Sequence, residues 1–246
     1  MKNKLLLSVL CAVLTVPSAW ADSRHWEYDG EEGPTHWADL DPSFSSCNSK
    51  NQSPIDLTPS RMVKAQLAAI RPTYQAGGQE IVNNGHTIQV NYATGSDVVI
   101  DGIVFHLKQF HFHAPSENQI KGQSFPMEGH FVHADDQGNL AVIAVMFQAG
   151  KANPELEKAF AHIPSEAGTS TPLNPMVNAA ALLPAQKDYY RFEGSLTTPP
   201  CSEGVRWLVL KQVQQASAAQ IAQFTQTLHH ANNRPIQATN ARLILQ

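Results

Sequence analysis

Gln109-Phe110-His111-Phe112-His113 alternates polar and aromatic side chains with a period of two. That period belongs to a β-strand, where successive side chains point to opposite faces. His111 and His113 therefore share one face, and Phe110 and Phe112 form the packing face behind them. A second stretch, Glu128-Gly129-His130-Phe131-Val132-His133, reads the same way. Glu128, His130 and Val132 share a face, while His133 points away from it as a structural histidine. Pairing the two strands antiparallel brings His130 beside His111 and His113. An HxH pair alone also fits two histidines on a half-exposed face; a third imidazole from a neighbouring strand turns it into a metal site. Three neutral histidines without cysteine suit Zn²⁺ with its fourth position open, the arrangement of a catalytic site. Such ligands add no negative charge, so the ion keeps its full pull on a bound water.

Outward from these two strands, further β-like runs lie at 80–82, 87–92, 98–100, 104–112, 140–147, 189–192 and 205–210. Helical patterns are weaker, at 154–162, 174–183 and 217–228. The last opens with Ser217 as N-cap and has Gln220 three residues on, a capping-box pair. Pro and Gly are spread evenly, as expected of short strands joined by turns. The expected class is mainly β (α+β): residues 22–246 as one domain around a large, twisted, mostly antiparallel sheet with short peripheral helices. Strand order is left open by the pattern.

The N-terminus reads as an export signal. Lys2 and Lys4 precede an apolar run over 5–16, and Pro17-Ser18 lead into Ala19-Trp20-Ala21, an A-x-A cleavage pattern. Cleavage is expected after Ala21, placing residues 22–246 in the periplasm or outside the cell. A lipoprotein anchor on Cys11 is disfavoured because Leu10 is too bulky for the position before it. Loss of Lys2 and Lys4 takes the net charge from −4 to −6. A mildly acidic chain without a basic stripe suits neither nucleic acid nor an anionic membrane. No run approaches the ~18 apolar residues of a membrane span. Cys11 leaves with the signal, and the remaining Cys47 and Cys201 most simply form one disulfide in an oxidising compartment. Two buried free thiols are the other reading.

The motifs fall in the order of a known family. Gln109–His113, the Glu-x-His-x-Val-His of 128–133 and Ser195-Leu196-Thr197-Thr198-Pro199-Pro200-Cys201 resemble the signature of the α-class carbonic anhydrases. The resemblance also takes in His25-Trp26-Glu27-Tyr28, Gly33-Pro34-Thr35-His36-Trp37, Asn51-Gln52-Ser53-Pro54-Ile55, Asn83-Asn84-Gly85-His86 and Asn232-Asn233-Arg234-Pro235. It implies one zinc per chain held by His111, His113 and His130 at the base of a conical cleft. Gln109, Glu128 and the main-chain carbonyl of Asn232 would orient those ligands. The implied reaction is reversible hydration of carbon dioxide to bicarbonate and a proton by zinc-held hydroxide; in carbonic anhydrases the zinc water titrates near about 7. Thr197 would be the gatekeeper hydroxyl, held by Glu117, with Thr198 beside it. Val132, Val142, Leu196, Val205 and Trp207 would form the apolar wall for substrate, and His86 would shuttle the proton. The Pro199-Pro200 bond would be cis.

One departure from the animal enzymes stands out. His113 is followed directly by Ala114-Pro115-Ser116-Glu117, as in bacterial members, where animal enzymes carry Trp-Gly and a longer insert. The shorter loop is expected to widen the cleft mouth. Two rival classes stand beside the lyase reading. A binding module of the same fold would need to have lost a ligand, and all three histidines, Thr197 and Glu117 are present. A zinc-hydroxide esterase would want a further carboxylate for the leaving group, and the chain shows neither that nor HExxH; no G-x-S-x-G elbow appears that would bring in a Ser–His–Asp enzyme. A homodimer is left open.

Overall fold

The computed structural model describes residues 24–58 and 62–246. The expected export signal, and the cleavage expected after Ala21, lie outside the described residues. Among the described residues, fourteen strands follow in chain order. They are β1 Asp56–Leu57, β2 Met62–Val63, β3 Ala76–Asn83, β4 Ile88–Tyr92, β5 Asp97–Ile100, β6 Ile103–His113 and β7 Gln119–Ile120. Then come β8 Met127–Ala134, β9 Leu140–Ala149, β10 Thr169–Asn178, β11 Tyr189–Ser195, β12 Glu203–Leu210, β13 Gln214–Ala216 and β14 Ile244–Leu245. The helices are short: α1 Trp37–Leu40, α2 Pro154–Phe160 and α3 Ala218–Leu228.

Twelve strands make one sheet in the order β10-β3-β4-β6-β8-β9-β12-β11-β14-β2, with β5 on β6 and β13 on β9. Pairing is mostly antiparallel; β9 with β12, β9 with β13, and β14 with β2 run parallel. Sequence explains the centre. Residues 141–147 of β9 are apolar throughout and all buried, as a strand covered on both faces requires. Alternate residues divide between two cores: Ile143, Val145 and Phe147 pack behind the sheet with Phe110, Phe112 and Phe131, while Val142, Ala144 and Met146 pack in front with Trp207.

The long strand β6 changes phase midway. Phe105 and Leu107 are buried behind, and then Phe110 and Phe112 are. The register against β8 shifts between Leu107 and Gln109, so Lys108 is the extra residue of a bulge. A bulge re-aims every side chain beyond it, and here it turns His111 and His113 to the front. Opposite Phe112 stands Gly129. A Cβ there would sit 3.2 Å from the Phe112 ring and 3.3 Å from Phe147, so glycine leaves room for the rear aromatic layer.

Both outer helices pack on that layer through Phe160 and Phe224, which stack 6.3 Å apart. α3 begins with the expected capping box, Ser217 and Gln220 bonding reciprocally. The helix expected at 174–183 is not formed. That segment is the end of β10 followed by a 3₁₀ turn, Ala179–Leu182, whose start is capped by the Asn178 side chain. Pro175, after Pro172, would break a helix, whereas β10 lies at the end of the sheet and, among the described residues, pairs with β3 alone, where missing N–H groups cost little.

In front of the sheet, Trp37, Phe44, Cys47 and Cys201 form a third small core, with Trp26 and Tyr28 against it. Cys47 and Cys201 are joined by a disulfide across 154 residues of sequence, with Cα atoms 4.9 Å apart. Closing so long a loop is worth ~5 kcal/mol on the chain-entropy account. It ties the 3₁₀ segment Pro42–Asn48 to the loop that carries Thr197.

Candidate metal centre

β6 and β8 pair antiparallel with His111 directly opposite His130. Both histidines of β6 and the one of β8 therefore face the front of the sheet, and a nitrogen of each lies within 4.8 Å of the other two. Each ring's other nitrogen faces a polar atom. Gln109 Oε1 lies 2.8 Å from His111 Nδ1, and the Asn232 carbonyl 2.6 Å from His113 Nδ1. Glu128 Oε1 lies 3.1 Å from His130 Nε2, off the line of a well-formed hydrogen bond. The nitrogens left to converge are Nε2 of His111 and His113 and Nδ1 of His130. His113 Nε2 is fully buried with no hydrogen-bond partner, an arrangement that costs stability unless something else satisfies it. Burial drives all three imidazoles toward the neutral form that a metal needs. His113 falls to about 4, and His111 and His130 lie well below the ordinary histidine value, with the charges of their neighbours adding to the effect. The donor set thus fits a borderline metal of zinc's kind.

Two buried carboxylates back the histidines. Glu128 accepts from the main-chain N–H of Glu117 and Asn118 and from the Asn118 side chain, each at 2.8 Å. Glu117 Oε1 accepts from the Arg234 N–H at 3.0 Å. Its Oε2 makes no hydrogen bond and lies 3.5 Å from His113 Nε2 and 3.9 Å from His130 Nδ1. Desolvation pushes Glu117 up to about 8 and Glu128 up to about 7; for Glu117 the Arg234 N–H and then the Thr197 hydroxyl oppose it. The short loop after His113 is pinned at Ala114, whose N–H donates to Asn232 Oδ1 at 2.8 Å, and at Ser116, whose N–H donates to the Phe125 carbonyl. That pinning carries Glu117 into the interior beside the histidines.

A family model described as eukaryotic-type carbonic anhydrase matches residues 32–246. The chain belongs to the α-carbonic anhydrase family. It is 51% identical over 246 residues to a carbonic anhydrase of Pectobacterium carotovorum, covering all of both chains. A carbonic anhydrase of Neisseria gonorrhoeae is 46% identical, with 98% of this chain and 96% of that one covered. Among solved structures, the α-carbonic anhydrase from Thermovibrio ammonificans in complex with the inhibitor sulfanilamide superposes with a TM-score of 0.89 at 48% identity, covering 91% of this chain and 99% of that one.

Within this carbonic anhydrase fold the three histidines lie at one cleft with Gln109, Thr197, Thr198, Val132, Val142, Leu196 and Trp207. Val205 does not line that wall; it is buried in the front core, on the same face of β12 as Trp207. Trp207 donates Nε1–H to the Ser195 carbonyl at the root of the Thr197 loop, and His130 stands edge-on to its ring. The Pro199-Pro200 bond after Thr198 is cis. His86 sits on the opposite side of the cleft, in a turn closed by Asn84 Oδ1, which accepts from the N–H of His86 and Thr87. Its ring stacks on Trp26 at 3.8 Å, and its Nε2 lies 2.9 Å from the Trp26 carbonyl. Burial lowers its pKa below the usual histidine value, opposed by that carbonyl and by Glu27. Trp26, Tyr28, Asn84, Thr87 and Gln89 also line the cleft and were not assigned to it from sequence. Gln89 was findable: it pairs with His111 across β4 and β6 and so must share its face. Trp26 and Tyr28 come from outside the sheet, where strand periodicity says nothing.

Proposed function

We propose that this chain is an exported zinc carbonic anhydrase that interconverts carbon dioxide and bicarbonate. The observation that carries the reading is the convergence of three neutral imidazoles, two buried and His111 half-buried, whose other nitrogens face Gln109, the Asn232 carbonyl and Glu128. Zinc held by His111, His113 and His130 would supply the Lewis acid that lets water ionise near neutral pH. The chain's own residues do the rest. The Thr197 hydroxyl has one proton to give; burial alone favours protonated Glu117, but the charge of a bound metal would favour its ionised form, and a proton spent on that carboxylate would leave Oγ1 as an acceptor only, fixing the direction of the attacking water. Val132, Val142, Leu196 and Trp207 offer carbon dioxide an apolar surface, sufficient for a small molecule without charge. Thr198 sits on the same wall with a lesser part.

The proton that hydration releases needs a carrier. Direct loss to water from a group of pKa about 7 is capped near ~10³ s⁻¹ if the reverse capture runs at the diffusion limit. His86, an imidazole lining the same cleft and held below the usual histidine value by burial, is the side chain suited to take it through bridging waters. Export is supported by the N-terminal pattern of residues 2–21 and by the Cys47–Cys201 disulfide. Among the described residues no helix is long and apolar enough to cross a membrane.

Metal analysis and stopped-flow carbon dioxide hydration on the protein beginning at Asp22 test this reading. One zinc per chain and rapid hydration are expected, both lost in His130→Ala, because two fixed donors hold the ion too weakly. Full zinc content and undiminished hydration in that variant would overturn the site. N-terminal sequencing of exported protein checks the cleavage after Ala21.

A further inference from the structure

Residues 232–234 form a strip without helix or strand that lies against the metal centre. Its main chain does two jobs: the Asn232 carbonyl orients His113, and the Arg234 N–H holds Glu117 Oε1. The Asn232 side chain adds bonds to the Ala114 N–H and to the carbonyls of Phe112 and His86. A displacement of this strip by a few tenths of an ångström would therefore move a ligand and the carboxylate behind it together. No sheet ladder holds the strip in place, so its anchors must come from side chains.

Asn232 ties the strip to the end of β6, and Arg234 ties it to segment 47–53. Its guanidinium is buried, 2% exposed, and lies over the Trp37 ring at 5.4 Å. Nη1 donates to Gln52 Oε1 at 2.8 Å and to the Ser53 carbonyl at 2.9 Å, and Nη2 donates to the Cys47 carbonyl at 3.0 Å. Nε is buried without a partner. A buried cation with an orphaned donor is a poor device for stability, since an apolar residue of similar volume commonly does as well. What a guanidinium adds is direction: a planar fork of donors with little freedom to lose.

We propose that Arg234 is a positioning residue of the metal centre, its fork locking strip 232–234 to segment 47–53 and so setting the orientation of His113 and Glu117. Segment 47–53 is itself tied to the Thr197 loop, through the Cys47–Cys201 disulfide and through Gln52 Nε2, which donates to the Cys201 carbonyl at 3.1 Å. One side chain thereby joins a ligand, its neighbouring carboxylate and the gatekeeper loop. The inference rests on the zinc reading of His111, His113 and His130.

The test uses zinc-loaded mature protein as wild type, Arg234→Met, Arg234→Lys, Gln52→Leu and, as a destabilised control, Val177→Ala in the rear core. Two quantities are read: the rate of zinc release to dipicolinate, and the visible spectrum after replacement by Co²⁺. Release from both Arg234 variants should be on the order of tenfold faster or more, with shifted cobalt bands, the range typical of losing an outer partner of a ligand. Gln52→Leu leaves the fork two of its three acceptors and should fall between them and wild type. Val177→Ala should melt earlier with unchanged release and spectrum. Wild-type release in either Arg234 variant overturns the proposal, as does equally fast release from Val177→Ala. If the Arg234 variants fail to fold, wild-type release from Gln52→Leu overturns it. A wild type that holds no zinc defeats the functional reading itself; a wild-type zinc lost in His130→Ala but retained normally in Arg234→Met defeats only this inference.

Discussion

His130 and His133 stand three residues apart on β8, one on each face of the sheet. Both are buried, and desolvation lowers the pKa of both. Their surroundings differ in what is left over. His133 spends both nitrogens locally, Nε2 on the Tyr74 hydroxyl at 2.5 Å and Nδ1 on the Ala141 carbonyl at 3.2 Å. His130 has Nδ1 turned to two other imidazoles, with a carboxylate 3.9 Å away. Burial and a depressed pKa therefore do not mark a ligand. An uncommitted nitrogen aimed at others does.

If that contrast is right, changes on the front should alter chemistry with little effect on stability, and changes on the back the reverse. Beyond the ligands themselves, the largest front effect should come from Thr197. Thr197→Ala should keep its zinc and lose on the order of 10²-fold in kcat/KM, the usual result of removing one positioned catalytic hydrogen bond. Stopped-flow hydration with metal analysis checks this. A variant within twofold of wild type would mean that Thr197 beside Glu117 is structural, and the front would lose its distinction.

How much of this contrast was legible beforehand follows from which physical rule applied. The two-residue period separated His111, His113 and His130 from His133 and from the phenylalanines, and the register of β6 with β8 agrees with it. The bulge at Lys108 was not legible, because alternation on either side reads correctly and only the phase between them changes. The two-residue strands β1, β2, β7 and β14 are too short to carry a pattern. The end of β10 carries a helix-like spacing of apolar residues over 174–183, and only its place at the end of the sheet, which the pattern leaves open, makes its prolines strand residues. Glu117 and Thr197 lie on loops; their roles came from resemblance to the family, and no spacing rule would have brought them together.

A smaller front effect belongs to His86. On the proposed shuttle role, in which the ring takes up a proton after the chemical step, His86→Ala should lower kcat about tenfold in weak buffer and leave kcat/KM nearly unchanged. Added imidazole should restore much of the loss. Unchanged kcat in dilute buffer would make His86 only a turn residue stacked on Trp26. The stacking and the bond to the Trp26 carbonyl sharpen this further: if the ring must move to deliver its proton, Trp26→Ala should change kcat and not kcat/KM.

On the back, Tyr74→Phe removes the donor to His133 Nε2 and strands a buried acceptor, a loss of about 1–3 kcal/mol. Zinc content and kcat should stay within twofold of wild type, since neither residue reaches the cleft. Replacing both partners, as Tyr74→Phe with His133→Leu, should cost less than the single change at pH 7, because no acceptor is left stranded on either side chain. The double variant also carries a pH signature. Burial holds folded His133 down to about 4, whereas the unfolded chain binds that proton near 6.5. Between those values the unfolded state holds more protons, so this residue's contribution is present above about 6.5 and is lost as pH falls toward 4. The full shift corresponds to about 3 kcal/mol. Denaturant unfolding between pH 7 and 4 should therefore show a shallower acid loss in the double variant than in wild type. An equal slope would mean that another buried group carries the acid limb, and that His133 differs from His130 only in its partners and not in what its burial costs.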